Sequence, residues 1–227
     1  MNHANQPQPI LSPLPADWPR NLGQARRVQQ DLAQRVSLAD RPGAIESVAG
    51  VDVHYRGGRA RAAAALFSFP DLKPLATAFA QSEAPFPYVP GFLSFREIPA
   101  ALAALEALPQ SPDLLLCDGQ GIAHPRGLGL ACHLGVLSGL RTIGAAKSRL
   151  VGEHQEPGPK RAAWEPLFFR DRVVGAVLRT RSEVKPLFVS PGHGLSLPSA
   201  IILTLACTEA FRSPDPLRAA HRLAKAL

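Results

Sequence analysis

Long apolar runs, paired cysteines and aromatic rings are all scarce in this chain, and each scarcity narrows what it can be. No stretch approaches the roughly eighteen uncharged apolar residues of a membrane-spanning helix. The run IILTLACTEAF at 201–211 is too short and carries Glu209, so no membrane partner is expected. The first residues, MNHANQPQPILSPLPADWP, lack the basic-then-apolar layout of a secretory signal. Only Cys117, Cys132 and Cys207 occur, scattered in apolar contexts. That argues against a disulfide framework and for a reducing, cytoplasmic setting. No histidine pair stands at HxxxH, and none shares a zinc spacing with cysteine. GxGxxG and Walker loops are absent too. With aromatic residues at 6% and only two tyrosines, a platform of stacked rings for single strands is not expected.

What is present is enough apolar material for one substantial core: 227 residues, 46% of them hydrophobic. The formal charge of +7, from 25 basic and 18 acidic residues, speeds encounter with a polyanion without proving one. Residues 1–21 read as a loose Pro, Asn and Gln-rich arm, and 22–227 as a single domain. Helical spacing of Leu22, Ala25, Val28, Leu32 and Val36 predicts a helix over about 22–40. ESVAGVDVHY is a strand, and ARAAAALFSFP its hairpin partner, although the alanines weaken that reading. ALAALEALP is a helix, DLLLCD a strand buried on both faces, HLGVLSGL a helix and RTIGAA a strand. After a polar loop come WEPLFF, RVVGAVLRT and KPLFVSP as strands, then two helices broken near Pro214 and Pro216. The order implies an α/β fold with a mixed central sheet flanked by helices.

Two of the buried-type strands carry an acid. In VAGVDV, alternation puts Val48, Gly50 and Asp52 on one face; DLLLCD ends in Asp118. An unpartnered carboxylate in such a strand is costly. Each could cap a turn or pair with an arginine. If the strands are neighbours, the two acids meet, repel, and suit a hard divalent ion such as Mg²⁺ or Mn²⁺. Glu97 is a third acid, but Ser94 to Glu97 also matches a capping box. A helix starting nearer Glu97, with Pro99 in its first turn, would avoid a proline in the helix interior.

Around Asp118, Gly119 and Gly121 allow close backbone approach, and His124 reads as a phosphate contact, a proton-transfer group or a loop residue. Lys147 stands at a strand end like the acids. Arg56, Arg59, Arg61, Arg126 and Arg149 are candidate phosphate contacts, as is Arg96 beside Glu97; a solvated basic surface explains most of them equally. Tyr88, stiffened between Pro87 and Pro90, is a wedge for a duplex or a core residue.

The strings VAGVDVHY, FPYVPGFLSFRE, LLLCDGQGIAHPRGLGLACHLGV, TIGAAKSRLVGEH, VVGAVLRTR and KPLFVSPGH, in this order across 48–193, resemble the endonuclease V family of DNA-repair nucleases. The resemblance implies a ribonuclease-H-like fold and Mg²⁺-dependent phosphodiester hydrolysis, with Mn²⁺ as a substitute. It implies recognition of deoxyinosine in DNA and a nick at the second phosphodiester bond on its 3′ side. The products are a 3′-hydroxyl and a 5′-phosphate. Inosine-containing RNA is a further expected substrate, and the acting species a monomer. By the same resemblance Asp52, Glu97 and Asp118 are the active-site acids and metal ligands, and Lys147 and His221 complete the catalytic set. Tyr88, with Val89 and Pro90, forms the wedge; Gly91, Leu93, Gly119, Gly121 and His124 line the pocket for the extruded base. One departure stands out: Gly194 in SPGHG replaces the family's usual arginine, which implies a lost contact to the nucleic-acid backbone. Two rival readings remain: another ribonuclease-H-like nuclease that reads structure instead of a lesion, and a basic binding module without catalysis.

Overall fold

The computed structural model describes residues 18–226. One eight-stranded sheet organises them, formed by β1 (Ser47–Arg56), β2 (Arg59–Ser68), β3 (Pro74–Glu83), β4 (Leu114–Cys117), β5 (Arg141–Ala146), β6 (Trp164–Phe169), β7 (Arg172–Leu178) and β8 (Leu187–His193). Five helices accompany it: α1 (Leu22–Ala33), α2 (Leu93–Glu106), α3 (Leu130–Ser138), α4 (Leu197–Ala206) and α5 (Asp215–Ala226). The strand order is β3-β2-β1-β4-β5-β8-β7-β6. β1, β4 and β5 run parallel, and the remaining neighbours are antiparallel. This is the ribonuclease-H-like mixed sheet expected from the sequence.

Alternation along β1 and β4 divides the core. Ala49, Val51, Leu115 and Cys117 pack towards α2 and α3. Val48, Leu114 and Leu116 pack on the opposite face with Leu217 and Ala220 of α5. Gly50 belongs to that second face, and a Cβ there would lie 2.3 Å from the carbonyl of Pro216. The missing side chain lets the α5 backbone lie directly on β1. Helix and strand then climb together. The five residues from Pro216 to His221 rise about 7.5 Å, close to the roughly 6.6 Å between Gly50 and Asp52.

Several elements differ from expectation. The alanine-rich β2 forms all ten residues of its strand, fully paired to β1. Small side chains suit a strand covered by α2 on one face and α5 on the other. β3 was not anticipated: it turns Ala76, Ala78 and Ala80 inward and leaves Leu75 and Phe79 exposed, inverting the usual pattern. α1 stops at Ala33, well short of residue 40, and is capped at its start by Asn21, whose Oδ1 accepts from the Gln24 N–H at 2.9 Å. Most of the expected N-terminal arm, residues 1–17, lies outside the described residues. Trp18, placed in that arm by the sequence, is instead packed against Phe95 and His133.

The largest correction concerns α2. It begins at Leu93, after an N-cap residue, Phe92, that makes no side-chain bond; the capping box is not formed, and Pro99 sits in the helix interior. A proline there deprives the carbonyl four residues earlier of its partner. That carbonyl belongs to Phe95, and the indole N–H of Trp18 donates to it at 3.0 Å. An indole from outside the helix thus replaces the missing backbone bond.

Candidate active site

Val51 and Cys117 are partners in the parallel β1–β4 ladder, so the next residues, Asp52 and Asp118, lie side by side just beyond it. β4 ends there, while β1 runs on to Arg56 paired with β2, so Asp52 is within its strand and not at the strand end expected. β5 pairs with β4 through Gly144 and Cys117 and delivers Lys147 just past its last residue. The Lys147 ammonium lies 2.8 Å from Asp118 Oδ2. From the α5 side, His221 Nδ1 lies 2.8 Å from Asp52 Oδ2. From the α2 side comes Glu97, a residue only 8% exposed. Its pKa is pushed up to about 8, first by burial and then by the charges of Asp52 and Asp118, with Arg96 pulling the other way. Five sequence-predicted residues from five separate segments therefore gather where the β1–β4 ladder ends, in the middle of the sheet.

Mutual repulsion among three acids is the condition a divalent cation relieves, and an all-oxygen set suits a hard ion. Asp52, Glu97 and Asp118 are the donor type such an ion takes, and the charges of the two aspartates bear on Glu97. Among the described residues, however, the group of three whose donor atoms all lie within 4.8 Å of one another is Asp52, His54 and His221, not the three acids. His54 escaped the sequence reading. The available signal was its position two residues after Asp52, which on a strand means the same face.

Beside the acids opens a cavity of about 460 Å³ lined by Tyr88, Pro90, Gly91, Leu93, Ser94, Gly119 and His124, among others, with Asp118 and Lys147 at one side. Tyr88 is 67% exposed, so it is not a core residue. The turn behind it is held at Gly91, which has φ +78°. The Gly91 carbonyl accepts from Gln29 Nε2 at 2.8 Å, Arg126 Nη2 at 2.6 Å and His124 Nε2 at 3.1 Å. Val89 contributes its carbonyl to the Phe92 N–H and its side chain to the Phe86–Phe95 cluster.

His124 donates through Nε2 to Gly91, while its Nδ1 accepts from the Arg126 N–H at 3.2 Å. Burial and the neighbouring Arg126 push its pKa down to about 4. It is a neutral strut of the wall, with neither nitrogen free for a phosphate. Gly121 departs from the expected lining. A Cβ there would lie 2.0 Å from the Pro191 carbonyl oxygen, and its N–H donates to Ser190 Oγ at 2.7 Å. Gly121 therefore packs on β8 behind the cavity and does not line it.

The arginines divide. Arg149 is exposed and lines the cavity. Arg126 is spent on Gly91, Gln29 and the face of Phe92. Arg96 stacks 4.0 Å from the centre of the Tyr55 ring and lines neither the base-side cavity nor its neighbour. That neighbour, about 350 Å³, meets the first at Asp118. It shares Asp118 and Lys147 with the first and adds His221, Arg212, Arg218 and Arg222. These three arginines were not singled out from the sequence, because the loop and helix that carry them have no spacing relation to the acids.

Gly194 lies elsewhere. His193 pairs with Thr142 at the start of β5, whereas Lys147 follows its end, so Gly194 sits at the opposite end of β5 from Lys147 and Asp118. It is buried, has φ +69°, and a Cβ there would lie 3.0 Å from the Arg41 side chain. The position where a nucleic-acid contact was expected to be lost thus lies away from the acids, against Arg41 of the same chain.

The endonuclease V family profile matches residues 30–222. The endonuclease V of Trichormus variabilis is 50% identical over 213 residues, 92% of this chain and 96% of that one. The crystal structure of the Streptomyces avermitilis endonuclease V has a TM-score of 0.89 at 46% identity, covering 94% of this chain and 95% of the other. A Ciona intestinalis endonuclease V, crystallised with a 24mer DNA containing an inosine followed by a ribo-adenosine, has a TM-score of 0.79 at 26% identity, covering 90% and 96%.

Proposed function

The chain belongs to the endonuclease V family, and from that premise we propose that it is a Mg²⁺-dependent nuclease that recognises deoxyinosine in DNA and cuts the second phosphodiester bond on the 3′ side. Mn²⁺ can substitute, and inosine in RNA is a second substrate. The observation that carries this reading is the shared wall: Asp118 and Lys147 border both the cavity behind Tyr88 and the arginine-lined cleft. A base held in the first and a strand continuing into the second would pass its backbone across the acids, displaced from the lesion itself.

Each part has a chemical task. Tyr88, exposed on a pinned turn, stacks where the base is withdrawn. The pocket beyond it is lined by Leu93 and Ser94 at the uncapped start of α2. Free N–H groups at a helix start are donors. Hypoxanthine presents a carbonyl acceptor at its six-position, where adenine presents an amino donor. Adenine would leave those donors unpaired, a penalty of about 1–3 kcal/mol for each.

Hydrolysis places a water oxygen on phosphorus in line with the P–O3′ bond. That bond breaks, its electron pair and a proton end on O3′, and the phosphate stays on the 5′ end of the downstream fragment. Asp52, Glu97 and Asp118 would hold the cation, which supplies charge neutralisation at the phosphate and a more acidic water when bound. Lys147 adds a positive charge beside Asp118, and His221 orients Asp52 through its 2.8 Å contact. Arg149, Arg212 and Arg222 offer phosphate contacts on either side.

The test uses end-labelled duplexes with and without one deoxyinosine, incubated with Mg²⁺ or a chelator. The expected product is a single nick one nucleotide beyond the lesion, only in the inosine strand and only with Mg²⁺. Cutting that follows duplex shape irrespective of the lesion would favour a structure-reading nuclease, and retention without cutting a binding module.

A further inference from the structure

Asp52 is addressed by two imidazoles at the same oxygen. His221 Nδ1 lies 2.8 Å and His54 Nε2 3.8 Å from Oδ2, and the ring centres are 5.0 Å apart. A hydrogen bond accounts for the first contact. The second is too long to be one, so His54 approaches the carboxylate without a bond that explains its place. The two imidazoles are 36% and 41% exposed, so solvent and ions reach them. They come from different elements, β1 and α5, held together by the backbone packing at Gly50.

Two imidazole nitrogens and one carboxylate oxygen are a donor set for borderline transition metals, with positions left open, whereas Mg²⁺ prefers oxygen alone. Metal–donor distances of roughly 2.0–2.2 Å need the three donor atoms only a little rearranged from their present spacing within 4.8 Å. We propose that Asp52, His54 and His221 form a second cation site, selective for an imidazole-seeking transition-metal ion such as Zn²⁺ or Cu²⁺, beside the all-oxygen position of Asp52, Glu97 and Asp118. The proposal deepens the nuclease reading, because Asp52 belongs to both positions. An ion drawn to the imidazoles engages the carboxylate on which the hard ion depends, so Zn²⁺ acts as an inhibitor in the presence of Mg²⁺.

The test titrates the full chain with Zn²⁺ by calorimetry, and with Cu²⁺ by electron spin-echo spectroscopy, which reads nitrogen bound to the ion. Wild type is compared with His54→Gln, His54→Ala and the pair Glu97→Gln with Asp118→Asn, each checked by circular dichroism. Expected are nitrogen modulation in wild type, its reduction in both His54 variants, and Zn²⁺ affinity weakened roughly tenfold or more there. The acid-site double variant keeps the nitrogen signal while losing cleavage. Zn²⁺ affinity and nitrogen modulation unchanged in both His54 variants would overturn the site. A wild type that binds through nitrogen yet never nicks an inosine duplex would overturn the nuclease reading and leave the cation site standing.

Discussion

Val51 and Cys117 stand opposite each other on neighbouring parallel strands, and the active-site geometry follows from that single register. One step further, Asp52 and Asp118 leave the ladder together, and a shift of one residue would send one acid to the other face. Their convergence is therefore as firmly specified as the packing of the sheet, since Val51 and Cys117 are both buried against α2 and α3.

Asp118→Asn keeps the shape of the site and removes the charge paired with Lys147. Cleavage of an inosine duplex should fall by roughly a hundredfold or more under single-turnover conditions, while gel-shift affinity for the same duplex is largely retained. Normal turnover by the folded variant would refute the role of Asp118.

Tyr88→Ala deletes an exposed ring and should leave the melting temperature unchanged. Stacking on a base contributes about 1–3 kcal/mol, so preference for inosine- over adenine-containing duplex should drop about tenfold or more. Equal discrimination by wild type and variant would show that the ring is not a wedge.

Glu97 gives a pH-dependent stability effect with a definite sign. Its folded pKa of about 8 lies above the ordinary 4.5, so the folded protein holds a proton that the unfolded chain releases. Stability from this group is greatest below pH 4.5 and is lost as pH rises towards 8. In chelator, Glu97→Gln should therefore melt above wild type, with a gap that opens between those pH values to the order of a few kcal/mol. Added Mg²⁺ should narrow or reverse the gap. A gap independent of pH would contradict the crowded-acid account.

Gly194→Arg tests the position away from the acids. A side chain at φ +69° costs about 1–2 kcal/mol and must displace Arg41, so the melting temperature should fall. Affinity for inosine DNA and its salt dependence should not rise, because the residue lies at the opposite end of β5 from Lys147 and Asp118. A gain in affinity would restore the nucleic-acid contact that the sequence suggested.

Asp52 was legible as an acid in an apolar strand, and Asp118 and Lys147 as residues at strand ends, because each sits in a short string with an informative pattern. The roles given to Glu97 and Tyr88 rested on the resemblance to the family, since local pattern left a capping box and a core residue equally open. The start of α2 was misread for an equally local reason. Pro99 looks incompatible with a helix interior until Trp18, remote in sequence, donates to the Phe95 carbonyl. β3 was missed because its small residues point inward and its large ones outward. Gly121 and Gly129 share a glycine-rich string with Gly119, yet packing presses Gly121 against β8.

By itself the sequence determined the alternation that buries β1 and β4 and the chemistry of the acids just beyond their ladder, since side-chain identity and strand period are properties of the chain. Only the tertiary structure decided which groups share a site. His54 joins His221 because α5 rests on Gly50, Gly194 meets Arg41 far from the acids, and Arg212, Arg218 and Arg222 border the same cleft as Lys147. Such pairings depend on how elements dock across long stretches of chain, and no local pattern encodes them.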